Sequence, residues 1–158
     1  MNFTFNLIFS TLILISLPLV GNGQDSSTTK QKELLNTINI FSGTTAPQGK
    51  GAEAYGNFLA DDFSRWTIGS AFISNKNKWV EGVKDWFDDG WRVSDRDQQF
   101  IEILILNDYA HTRRIVTETY LGPNGESSVS KAALAEVWVF RNDSWLLFRV
   151  NILPMANN

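Results

Sequence analysis

The 158-residue chain contains no cysteine and a single histidine, His111. It therefore has no disulfide, no thiolate metal site and no cysteine nucleophile. One histidine among scattered carboxylates does not make a metal-ligand set, so neither a metal nor a cofactor is expected. A lipid-anchored bacterial precursor needs a cysteine at its cleavage point, so that route is closed as well. An excess of one charge is also missing. The 14 Lys and Arg and the 17 Asp and Glu are interspersed and leave a net charge of −3. No basic stripe is present to neutralise phosphates, which argues against nucleic-acid binding. There is no internal repeat.

What is present begins with an apolar run over residues 7–20, followed by Gly21, Gly23 and a polar stretch over residues 25–32. The run is shorter than the roughly 20 apolar residues that span a bilayer. An apolar core, a small-residue exit and a polar start describe a cleavable secretory signal. The amino-terminal region carries no Lys or Arg, and an uncleaved anchor is the alternative. On this reading residues 1–23 are a signal peptide and residues 24–158 a single domain. The mature protein is exported, periplasmic or secreted, and free of the membrane after cleavage. A mature chain of roughly 130 residues can bury a self-sufficient core, and its length argues for one domain.

Residues 27–41 place Leu34, Leu35, Ile38 and Phe41 at helical spacing. A loop follows around Ala46-Pro47-Gln48-Gly49. A short helix is predicted over residues 52–59, ended by Asp61-Asp62, with a short strand over residues 63–68. Asn75 or Ser74 caps a third helix whose apolar stripe is Trp79, Val80, Val83, Trp86 and Phe87. That helix stops at Asp88-Asp89-Gly90, where Gly90 suits the left-handed position after the last turn. The acidic pair sits poorly at a helix C-terminus, so the end frays or is satisfied by Arg92. Four long strands complete the chain, over residues 91–106, 109–121, 127–141 and 144–153. The first has an irregularity near Ser94-Asp95. Asn107-Asp108 and Asn142-Asp143 are read as turns between the strands, and Gly122-Pro123-Asn124-Gly125 is a strong hairpin signal. A helical cap on such a sheet is an α+β layer architecture.

This order of elements resembles the nuclear transport factor 2-like superfamily and, within it, the SnoaL-like group. The local matches are Phe58-Leu59-Ala60-Asp61-Asp62-Phe63, the turn Asn107-Asp108, and Glu136-Val137-Trp138-Val139-Phe140-Arg141-Asn142-Asp143-Ser144-Trp145. The resemblance covers residues 30–153. It implies a cone in which N-terminal helices pack on a curved, mostly antiparallel sheet. A pocket lies between the two layers, and dimerisation through the sheet is frequent. Function stays open, because the same cone serves isomerases, cyclases, dehydratases, epoxide hydrolases and non-catalytic binding modules. Ketosteroid isomerase-like members place a general-base aspartate where this chain has about Thr67, which cannot act as that base. Their oxyanion-hole tyrosine has no counterpart on the first helix. Only their second carboxylic acid has an analogue, Glu136. The Asp-Arg-Asp constellation of the epoxide hydrolases is not evident.

Strand alternation sorts the candidate site residues. Leu134, Glu136, Trp138 and Phe140 share one face, with Ala133, Ala135, Val137 and Val139 opposite. The large-residue face with its one carboxylate is read as the cavity side. On the preceding strand His111, Arg113, Ile115 and Thr117 share a face, which the resemblance assigns to the cavity. Glu136 would then meet His111 or Arg113, as a carboxylate-oriented base or as an ion pair that orients a polar ligand. Glu136 and His111 are the candidate catalytic residues, and Arg113, Trp138, Trp66 and Tyr55 the candidate ligand-binding ones. Each has a plainer reading. Glu136 and Arg113 form a cross-strand ion pair, His111 is a structural or edge residue, and Asp61 and Asp62 make a turn. Trp66, Trp79, Trp86 and Trp138 are core, with one or two at the pocket mouth. Arg149 and Asn151 have no assigned face.

Three functions compete. The first is an exported domain that binds a small, partly apolar molecule. The second is a cofactor-free isomerase, cyclase or dehydratase with Glu136 or His111 as acid or base. The third is a non-catalytic dimerisation module. A homodimer is expected in each case, because an outer sheet face carrying Val137 and Val139 needs cover.

Overall fold

The computed structural model describes residues 22–156. The leader expected over residues 1–23 lies outside the described residues except for its last two. Helix α1 spans Asn22–Gly43 and α2 spans Gly51–Gly56. Strand β1 covers Leu59–Thr67, β2 Ile73–Asn75, and helix α3 Lys76–Asp88. The long strands are β3, Arg92–Leu106; β4, Tyr109–Leu121; β5, Ser127–Arg141; and β6, Ser144–Met155. They form one mixed sheet in the order β2-β1-β6-β5-β4-β3, in which only the β1–β6 pair is parallel. Among the described residues no helix is long and apolar enough to cross a membrane.

Local chemistry accounts for most of these boundaries. The Asn75 side chain accepts a hydrogen bond from the Lys78 amide at 3.0 Å, capping α3. At the other end Gly90, with φ of 88°, donates its amide to the Phe87 carbonyl at 2.9 Å, and the Trp91 amide reaches Trp86 at 3.1 Å. Arg92 donates to the Phe87 carbonyl at 2.9 Å and lies 4.2 Å from that ring. A cation thus replaces the favourable charge that the acidic turn withholds. Asn142 and Asp143 both take positive φ, the conformation whose twist matches a two-residue hairpin. The irregularity expected near Ser94-Asp95 is a register shift between Val93 and Asp95.

Several elements differ from the sequence expectation: α2 ends at Gly56, three residues early, and β6 runs through Pro154 to Met155, where it pairs with Ala132 and Lys131 of β5. β1 begins at Leu59 and runs through Asp61 and Asp62 instead of following them. Leu59 aligns with Leu147 of β6, and the Leu147 amide donates to the Phe58 carbonyl at 2.8 Å. Pairing with a strand far along the chain overrides the turn character of the acidic pair. The three-residue β2, missed in the sequence, pairs with β1 through Ser74 and Arg65.

Leu34, Ile38 and Phe41 of α1 pack with Leu59, Phe63 and Trp145 of the sheet into one core. Each such side chain contributes about 1.5–3 kcal/mol by leaving water. Past this core, α1 ends in a turn whose Thr45 carbonyl accepts from the Val93 amide at 2.9 Å. That bond ties the helix end to β3 and leaves a space between the helices and the concave face of the sheet.

Candidate functional site

The space is a cavity of about 520 Å³, within the range of small-molecule sites. Phe41, Ser42 and Thr45 border it at the end of α1, Tyr55 from α2, and Trp79, Val83 and Trp86 from α3. The sheet contributes inward-facing residues from β1 and from β3 to β6, alternating along β4 and β5 as the pleat requires. These include Arg65 and Thr67 from β1, Arg114, Val116, Glu118 and Tyr120 from β4, and Leu134 and Glu136 from β5. Arg96 reaches in from β3.

Three polar groupings stand in this largely apolar wall. In the first, the Arg114 guanidinium grips Glu136 with two bonds, Nε to Oε2 at 3.1 Å and Nη2 to Oε1 at 2.8 Å. Thr112 donates to Glu136 Oε2 at 2.6 Å, and the remaining Arg114 nitrogen donates to Gln98 at 2.5 Å. The two ionic side chains are 4% and 1% exposed. At that depth a charge must be paired, and this one is paired on both carboxylate oxygens.

In the second grouping, Arg96 contacts Glu118 at 2.5 Å and also donates to the Ser42 carbonyl and, at 2.9 Å, to the Thr45 hydroxyl. Tyr120 donates to the other Glu118 oxygen at 2.7 Å. Burial raises the Tyr120 hydroxyl above its ordinary pKa, and the neighbouring Glu118 charge pushes it the same way.

The third grouping is different. Arg65 lies with its guanidinium carbon 4.0 Å from the Trp79 ring centre. The Trp79 indole nitrogen donates to the Tyr55 hydroxyl at 3.0 Å. Burial pushes the Tyr55 hydroxyl up to about 12. No ion pair among the described residues includes Arg65, and its Nε is buried without a hydrogen-bond partner.

No family model matches the sequence, and no curated protein matches it either. Solved structures do. A ketosteroid isomerase-like protein from Erwinia carotovora is similar with a TM-score of 0.60 at 14% identity, over 80% of this chain and 94% of that one. An NTF-2 like protein of unknown function from Shewanella oneidensis gives 0.62 at 10% identity, over 78% and 98%. The chain has a nuclear transport factor 2-like fold. The association domain of C. elegans CaMKII is similar in the same way, with a TM-score of 0.56 at 15% identity over 82% and 98%. Identities this low establish the shared cone and leave the chemistry to the residues.

Within this nuclear transport factor 2-like cone the expected site residues separate. Glu136 and Tyr55 border the cavity. His111 and Arg113 do not. In the β4–β5 ladder Glu136 stands opposite Thr112, while His111 faces Val137 and Arg113 faces Ala135. His111 and Arg113 are therefore on the outer face, and Arg113 forms an exposed ion pair with Glu102 at 3.0 Å. The proposed convergence of Glu136 with His111 and Arg113 was wrong by one residue of strand parity, which moves every side chain to the other face.

Trp138 is fully buried, edge-on to Phe41 with ring centres 5.9 Å apart, and belongs to the core. Trp66 alternates with the inward Arg65 and Thr67, and its indole donates to the Ser70 carbonyl at 2.9 Å away from the cavity. Trp79 and Trp86 are the tryptophans that border it. The base position implied by the resemblance, Thr67, does face the cavity and supplies no carboxylate. Arg149 and Asn151 flank the inward Val150 and so face outward, where Arg149 donates to the Asp62 carbonyl.

Sequence reading missed Arg65, Arg96, Arg114, Glu118 and Tyr120. A signal for the last three was present, since Thr112, Arg114, Val116, Glu118 and Tyr120 fall on the same alternate positions of β4.

Proposed function

We propose that this chain is a binding domain for a small, largely apolar molecule held in the cavity between the helices and the concave sheet. With the leader expected over residues 1–23, it works outside the cytoplasm. The observation that carries the reading is the state of the two cavity carboxylates. Both oxygens of Glu136 accept bonds from Arg114 and Thr112, and Glu118 is held by Arg96 and Tyr120. A general base needs a free lone pair within reach of the substrate proton. Each acid has both oxygens engaged by protein donors, so drawing either into proton transfer would disturb an ion pair that the fold has already made, whereas the apolar wall is ready for a ligand.

The neutral fluorescent probe N-phenyl-1-naphthylamine tests this. It should bind saturably at one equivalent per chain and quench Trp79 and Trp86. The Ala132→Trp variant, which fills the cavity from β5, should abolish both signals while keeping its circular dichroism. Equal binding by wild type and Ala132→Trp would remove the cavity from the reading.

The outer sheet face supports a second copy as its cover. Leu104, Leu106, Tyr109, Leu121, Val129 and Leu153 are exposed there, whereas Val139 is buried and Val137 half-buried within the single chain. Leu104, Leu106 and Tyr109 cluster at the β3–β4 hairpin, while Leu121 and Val129 lie at the opposite end of β4, so the hairpin cluster, not the valines of β5, is the part that asks for a partner. An apolar area of this kind on a soluble chain marks an association surface. Light scattering should give twice the chain mass, and Tyr109→Lys should halve it. A wild-type monomer at high micromolar concentration would overturn the proposal.

A further inference from the structure

The cavity borders contain three guanidiniums, Arg65, Arg96 and Arg114, against two carboxylates, Glu118 and Glu136, and no lysine, aspartate or histidine. One positive charge is left over. It belongs to Arg65, because Arg96 and Arg114 each hold one of the two acids. Arginine stays protonated in proteins. Burial nevertheless holds the Arg65 guanidinium below its ordinary pKa, while the Tyr55 and Tyr120 oxygens nearby act in the opposite direction. Its Nε is enclosed by protein without an acceptor, a cost that the fold retains, and the side chain stands on the cavity border with no carboxylate of its own.

Resting on the binding reading above, we infer that the ligand is a monocarboxylic acid with an aromatic or polycyclic body, and that Arg65 takes its carboxylate. The stoichiometry of charge favours a monoanion, since a doubly charged phosphate would leave the chamber with an excess of negative charge. The guanidinium fork matches a carboxylate with two parallel bonds. The Trp79 ring lies beneath that fork, its centre 4.0 Å from the guanidinium carbon, and helps to hold it in place. Tyr55 accepts from Trp79, and no hydrogen bond from its own hydroxyl is found among the described residues. With its pKa pushed up to about 12, that hydroxyl keeps a proton to donate to the same anion at neutral pH. Behind this polar corner Trp86, Val83, Val116, Leu134 and Ile152 offer only apolar surface, which suits fused rings or a branched hydrocarbon body.

Competition against N-phenyl-1-naphthylamine separates this inference from the reading it rests on. The probes are 2-naphthoate and 2-naphthamide, equal in shape and differing in charge. Wild type should bind the carboxylate at least about ten-fold more tightly than the amide, a difference of about 1.4 kcal/mol. In Arg65→Gln the two should become equal, with the amide unchanged. Arg65→Lys, which retains the charge without the fork, should keep part of the preference. Ligand-free Arg65→Met should melt several degrees higher than wild type, because the uncompensated charge is gone. If the neutral probe binds but wild type shows no preference for the carboxylate, the inference falls and the binding reading stands. A preference that survives in Arg65→Gln, or a lower melting temperature for Arg65→Met, would also overturn the assignment to Arg65. If neither naphthalene compound nor the neutral probe binds, both fall together.

Discussion

Glu136→Gln should destabilise the protein by about 3–5 kcal/mol, the loss typical of a buried ion pair that loses one partner. The substitution leaves the Arg114 guanidinium, 4% exposed, without a counter-charge and with neutral acceptors alone, the new amide carbonyl and Gln98. Thr112 and Trp138 lose the same carboxylate, at 2.6 and 3.4 Å. Urea denaturation should show a lower midpoint with an unchanged slope, the sign of a stability effect without a change in the surface exposed. Replacing both partners, as in Glu136→Met with Arg114→Met, should recover much of the loss, because no charge is then left buried alone. A stability change below about 1 kcal/mol in the single variant would show that the pair is not what holds β4 and β5 together here.

Trp138→Ala should have a similar effect by a different route. The side chain is fully buried and packs edge-on against Phe41. Truncating a buried tryptophan costs about 3–5 kcal/mol, through lost burial and the void left behind. A ligand-binding tryptophan at a pocket mouth would behave otherwise, losing affinity with little change in stability. Chemical denaturation of Trp138→Ala, run beside N-phenyl-1-naphthylamine titration at a temperature where the variant is folded, distinguishes the two. A stable variant with lost probe binding would return Trp138 to the cavity wall.

How far the sequence was legible depends on the range of the interactions involved. Turns and caps are local chemistry, and Asn75, Gly90 and Asn142-Asp143 announced themselves by residue type. Strand parity was also legible, though it was misread. The strand ends expected at Leu121 and Ser127 do stand opposite each other, and counting back equally along both strands leads to Thr112 opposite Glu136. That count contradicts the face assigned to His111 and Arg113 and favours Arg114. Arg65 was not legible in the same way. Its face is set by the parallel pairing of β1 with β6, Arg65 beside Val150, and no hairpin links those strands in sequence. A short segment with Phe63, Arg65, Trp66 and Ile68 presents large side chains on both faces, so alternation alone does not choose between them.

That β1–β6 pairing has a kinetic consequence. The β3 to β6 meander joins neighbours in sequence and can zip up hairpin by hairpin. β1 must wait for β6, since the alignments Leu59 with Leu147 and Thr67 with Ile152 bridge most of the domain. Contacts so distant in sequence close a large loop before they yield any stabilisation, and they place a fold among the slower ones. On a ribosome the wall carrying Arg65, paired locally with the short β2, joins the rest of the sheet only after the last strand has emerged. Until then the half-built cone exposes the apolar side of its sheet, the interval in which a chaperone has most to protect.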